Sequence, residues 1–116
     1  MGSAENLVLK QIMDYVKYNI YVAEFPHIDN IKLFRTNNIA VKGRTSLLPK
    51  GYPDTSGFIK LTKETRPTPF YCEMKTAKGL VSREQTEFFQ SIVEDGCYGL
   101  IARSLDDFKT FLGNLC

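Results

Sequence analysis

The chain has 116 residues, 43% of them hydrophobic, three cysteines and a net charge of +2. That length suits a single domain spanning residues 1–116 with a modest core, the opening Met1-Gly2-Ser3 having the look of an expression scar. No apolar run reaches the roughly 18 residues of a membrane span, and no basic stretch followed by an apolar one marks a secretion signal.

Cys72, Cys97 and Cys116 are odd in number and widely spaced, and His27 is the sole histidine. A structural zinc site is therefore not expected, and free thiols fit a reducing compartment. The charge is unevenly distributed. Residues 1–41 hold four basic and four acidic groups, residues 42–83 nine and three, and residues 84–116 two and six. A positive middle third suits a polyanion such as nucleic acid, although a mixed-charge solvated surface reads equally well from charge alone.

Residues 4–18 carry Leu7, Val8, Ile12, Tyr15 and Val16 at spacings of three and four, which predicts an amphipathic helix. Residues 20–25 have no clear pattern before Pro26. "IKLFR" and "IAVK" read as two short strands around Asn37-Asn38, and residues 43–56 as a loop. "GFIKLTK" and "FYCEMK" are further strands, separated by Pro67 and Pro69. From Ser82 to Asp95 the pattern is helical, with Phe88, Phe89, Ile92 and Val93 on one face and Gly96 placed to end it. "CYGLIA" has the length of a buried strand, and Ser104 caps a last helix with Leu105, Phe108, Phe111 and Leu112 inward. The order is α-β-β-β-β-α-β-α, and the late β-α-β crossover predicts a central mixed sheet flanked by helices.

The chemistry lies between Gly51 and Gln85. On a strand, Glu73 and Lys75 share one face, with Cα atoms roughly 6–7 Å apart. Asp54 precedes "GFIKLTK"; if that strand pairs with "FYCEMK" as a hairpin, Asp54 approaches Glu73. Two carboxylates and a backbone carbonyl make a hard-oxygen site suited to Mg²⁺ or Mn²⁺, and an adjacent lysine can hold water or offset phosphate charge. That combination suits phosphodiester hydrolysis. Each part also has a plainer reading. Glu73-x-Lys75 fits an exposed strand face, Pro53-Asp54 a turn, and Ser82 with Gln85 a capping box. Cys72 fits a small apolar group, and His27 a loop residue.

Gly51-Tyr52-Pro53-Asp54, Gly57, Glu73-Met74-Lys75, Gly79-Leu80-Val81-Ser82, Gln85 and Gly96 together resemble the virus-type replication-repair nuclease (VRR-NUC) branch of the PD-(D/E)xK nuclease superfamily, in its stand-alone phage or bacterial form. The resemblance implies a restriction-endonuclease-like core. It also implies that Asp54, Glu73 and the carbonyl of Met74 ligate Mg²⁺, with Mn²⁺ able to substitute, that Lys75 is catalytic and that Gln85 supports the site. Glu5 matches an acidic first-helix residue and a further candidate ligand, and Arg35 matches an arginine with a phosphate or structural role. Lys42, Arg44, Lys50, Lys78 and Arg83 are the accompanying candidates for DNA contact. The implied activity is structure-selective endonuclease cutting, with a four-way (Holliday) junction as substrate, a homodimer as the working form and the bacterial cytoplasm as the location. The alternatives are a nuclease of the same fold acting on flaps, nicks or duplex, and a basic binding module that cuts nothing.

Overall fold

The computed structural model describes residues 3–36 and 48–115. The expected strand at residues 39–42 and its Asn37-Asn38 turn lie outside the described residues, as do Lys42 and Arg44. Helix α1 (Ser3–Lys17) and the short α2 (Tyr21–Glu24) lead into strand β1 (Ile28–Arg35). Strands β2 (Thr55–Leu61) and β3 (Thr68–Met74) follow, then α3 (Arg83–Glu94), β4 (Tyr98–Ala102) and α4 (Leu105–Asn114). Among the described residues the fold is α/β: a mixed four-stranded sheet in the order β1-β2-β3-β4, flanked by helices. Strand β2 runs antiparallel to both β1 and β3, and β4 joins β3 in parallel after the α3 crossover. The hairpin and the parallel pairing both agree with expectation.

Alternation along the strands divides the sheet into two faces. Ile31, Leu33, Ile59, Leu61, Phe70, Cys72, Met74 and Ala102 pack toward α1 and α4, meeting Val8, Leu9, Ile12, Tyr15, Phe108 and Leu112 in one buried cluster. Val8, Ile12, Tyr15, Phe108 and Leu112 are the part of this core that helical spacing points to. Leu7 departs from it, being 57% exposed, while Leu9 is buried. Burial pushes the Cys72 thiol far above its ordinary range, consistent with a small packing group.

Helix α3 covers the other face over β3 and β4. Phe89 is buried there, with Gly99 leaving room for its ring, whereas Val93 is 55% exposed, contrary to its expected inward position. Strand β4 was expected to be buried but is half-buried up to Ala102. It is an edge strand, bonded to β3 alone among the described strands. Among the described residues no helix is long and apolar enough to cross a membrane.

Candidate active site

The β2–β3 register pairs Thr55 with Cys72, so the next position along each strand sets Asp54 beside Glu73. The regular ladder stops at Thr55, whose hydroxyl donates to the Cys72 carbonyl at 2.8 Å. Beyond it the two carboxylates take up backbone hydrogen bonds. Asp54 Oδ2 accepts from the Met74 N–H at 3.0 Å, and Glu73 Oε1 accepts from the Asp54 N–H at 3.0 Å. Each acid thus anchors its partner strand with one oxygen. The pair lies on the α3 face of the sheet, because Cys72 and Met74 point into the main core and Glu73 alternates with them.

Three neighbours hold the Asp54 turn in place. Thr36, just after β1, donates its N–H to the Asp54 carbonyl at 2.9 Å and its hydroxyl to the Pro53 carbonyl at 2.7 Å. Gly51 has φ +84° and lies against the first turn of α3, where an added Cβ would stand 2.4 Å from the Glu84 carbonyl oxygen. Only glycine satisfies both the left-handed backbone and that approach. Tyr52 meets Tyr71 and Phe88 edge-on, at ring separations of 6.1 and 5.2 Å, which ties the turn, β3 and α3 into a second apolar cluster.

Glu73 is 6% exposed. Its burial, and secondly the negative charge of Asp54, raise its pKa to about 7. Lys75 opposes this, its amine standing 3.9 Å from Glu73 Oε2 on a side chain only 14% exposed. Lys75 extends β3 by one residue, its N–H donating to the Ala102 carbonyl at 3.0 Å. The site therefore holds two carboxyl groups against one amine. This donor set fits a small divalent cation: hard oxygens, converging like charges and a shortage of positive charge beside them.

The other sequence candidates are distributed unevenly. Gln85 sits at the third position of α3, where its Oε1 accepts from the Ser82 N–H at 3.0 Å while Ser82 Oγ accepts from the Gln85 N–H at 3.1 Å. The capping box is thus formed, and among the described residues no hydrogen bond joins Gln85 to Glu73 or Lys75. Glu5 is half-buried in the first turn of α1, and no cluster of three or more acidic, histidine or cysteine side chains forms among the described residues. Arg35 pairs with Thr55, which puts it on the α1 face, opposite the carboxylates, and it lines a cleft with Asn6, Lys10 and Asp14.

Lys50, Lys78 and Arg83 are exposed in the Asp54 turn, in the loop after Lys75 and at the start of α3, all at the carboxylate end of the hairpin. Arg83 is bonded to Glu87 at 2.8 Å. Lys63 and Arg66, by contrast, sit in the β2–β3 turn at the far end, and Lys60 pairs with Asp29 at 3.0 Å. Among the described residues, the basic groups of the middle third are therefore split between the two ends of the hairpin. No local pattern singled out Arg103. Its Nη1 donates to the carbonyls of Thr76 at 2.6 Å, Gly79 at 2.8 Å and Ala77 at 3.4 Å.

Two carboxylates and an amine so arranged can hold a cation, orient a phosphate and position a water. The chain matches no protein-family model, no curated protein and no solved structure.

Proposed function

We propose that this chain is a metal-dependent DNA endonuclease with a PD-(D/E)xK-type site, of the VRR-NUC branch that its sequence resembles. The observation that carries the reading is the interlocked pair. Asp54 and Glu73, nineteen positions apart in sequence, each accept a backbone N–H across the hairpin, with the Lys75 amine 3.9 Å from Glu73. An acidic pair with Glu73 buried and Asp54 half-buried is a poor structural device, since its like charges repel, but a good cradle for a cation.

Asp54 and Glu73, with the Met74 carbonyl, would hold Mg²⁺ or Mn²⁺, which when bound supplies Lewis-acid polarisation of the phosphate. The remaining work falls to the chain itself. Lys75 donates hydrogen bonds to a phosphate oxygen or to the attacking water and offsets the charge that builds up at phosphorus. Lys50, Lys78 and Arg83 attract the flanking phosphates without reading bases. Branched DNA, foremost the four-way junction, is the proposed substrate. A two-fold homodimer is the proposed working form, because such a junction needs two cuts. The proposed setting is the bacterial cytoplasm.

The test is cleavage of matched four-way, flap, nicked and linear DNA with Mg²⁺, Mn²⁺ or EDTA, together with sedimentation of the protein. Cutting that needs the metal, disappears in Asp54→Ala and Glu73→Ala and favours the junction is the expected result. Absence of metal-dependent cutting on every substrate would overturn the nuclease reading. A monomer that cuts linear duplex as fast as a junction would overturn the junction and dimer parts alone.

A further inference from the structure

We infer that Arg103 is a positioning residue of this site, holding the turn that follows Lys75 and thereby the direction of the Lys75 amine. The inference rests on the reading of Lys75 as a working group.

The parallel register of β3 and β4 pairs Met74 with Ala102, so the next step along both strands sets Arg103 beside Lys75 on the carboxylate face. From there the guanidinium reaches over the turn at 76–79. Its Nη1 donates to the Thr76 and Gly79 carbonyls at 2.6 and 2.8 Å, with Ala77 at 3.4 Å. Carbonyl oxygens that converge in this way repel one another unless a donor sits among them, and a charged donor does so most strongly. The turn is closed further by the Gly79 N–H, which donates to the Thr76 carbonyl at 3.1 Å.

The turn in turn touches the lysine. A Cβ added at Gly79 would lie 3.5 Å from Lys75 Cδ and 3.0 Å from Thr76 Oγ1, so the backbone at Gly79 runs along the Lys75 stem. A four-carbon stem has several rotamers, and neighbours must select the one that sends the amine to Glu73. Arg103 is itself fixed at its own backbone. Its N–H donates to Asp107 Oδ2 at 2.8 Å, and the Asp107 N–H donates to Ser104 Oγ at 3.1 Å in the cap of α4. A continuous chain of contacts thus runs from the start of α4 through Arg103 and the turn to the Lys75 stem.

The experiment compares the full chain with Arg103→Ala and Arg103→Lys in two ways. The first readout is independent of cutting. Lysine amines are labelled as isotopic dimethyl groups, the Lys75 signal is assigned by its loss in Lys75→Arg, and its NMR shift is followed with and without Glu73→Gln. In the parent chain the signal should be distinct and respond to Glu73→Gln. In Arg103→Ala it should move to the position of exposed lysines and lose that response. Arg103→Lys, which keeps three donors on a shorter reach, should fall between. The second readout is Mg²⁺-dependent nicking. A displacement of the amine by about an ångström should lower the rate constant on the order of a hundredfold, with DNA affinity changed less than about threefold.

A Lys75 signal unchanged in Arg103→Ala would overturn the inference, even if nicking fell. If Arg103→Ala does not fold, an unchanged signal in Arg103→Lys together with full nicking would do the same. A parent chain that does not nick DNA would remove the nuclease reading, while the Lys75 signal would still decide whether Arg103 positions it.

Discussion

Glu73→Gln in metal-free protein should stabilise the fold near neutral pH, and the size of the effect follows from the site. The carboxyl ionises at about 7 in the folded chain against about 4.5 for an unperturbed glutamate, because it is buried beside Asp54. Between those values the folded state binds more protons than the unfolded state. Stability is therefore fully present below about pH 4.5, falls as pH rises through about 7 and is flat above that. The whole cost of charging Glu73 is about 3 kcal/mol. Glutamine has the same shape and keeps an oxygen to accept from the Asp54 N–H, while its amide can donate toward Asp54. For 116 residues the entropy of unfolding converts 1 kcal/mol into about 4 °C, so Glu73→Gln should raise Tm by about 12 °C near pH 8 in EDTA and by almost nothing near pH 4. Differential scanning calorimetry of both proteins across that range is the assay. Added Mg²⁺ should close the gap from the parent side, raising its Tm and leaving that of Glu73→Gln in place. A variant no more stable than the parent near pH 8, or a difference that does not vary with pH, would refute the account of a buried Glu73 repelled by Asp54.

Lys75→Ala should lower Mg²⁺-dependent nicking by about a hundredfold or more while leaving DNA affinity within a few-fold, since one amine adds little to total phosphate attraction; parallel nicking and filter-binding assays separate the two. Gly57→Ala should be among the most damaging single-atom changes, because an added Cβ would stand 1.8 Å from the Lys32 carbonyl oxygen between β1 and β2. A loss of about 3 kcal/mol or more is expected in urea unfolding, and near-parent stability would show that the strands can separate at little cost. Ser82→Ala should cost about 1 kcal/mol through loss of the α3 capping box, and Gln85→Ala a similar amount, both read from thermal unfolding.

Much of the fold was legible in the chain because it is written locally. The helices at α1, α3 and α4 follow from apolar spacing and from Ser82 and Ser104 as caps, and the caps that form use the residues that the spacing points to. The hairpin follows from two β-rich runs separated by a turn, and the parallel β4 from the helix between it and β3. Asp54, Glu73 and Lys75 could be nominated together because a hairpin and a period of two suffice to gather them.

Other properties depend on neighbours distant in sequence. Whether β4 is central or at an edge depends on which strand stands next to it, so its burial could not be read from "CYGLIA". Leu7 and Val93 satisfy the helical stripe but lie at its margin, where the width of the opposing surface decides exposure. The resemblance names Arg35 without saying which face it takes; its register with Thr55 sets it on the face opposite the carboxylates, since a strand's two faces are separated by a single residue. The described basic groups of the middle third lie at both ends of a hairpin that folds the segment back on itself. The sequence alone thus determined which residues can form the acidic pair and its lysine. Tertiary structure alone decided that the two acids replace the last rungs of the ladder, and that Arg103, twenty-eight positions after Lys75, closes the turn against its stem. The physical reason is that hydrogen bonds between backbone and distant side chains leave no periodic trace in the sequence and exist only once the strands are in register.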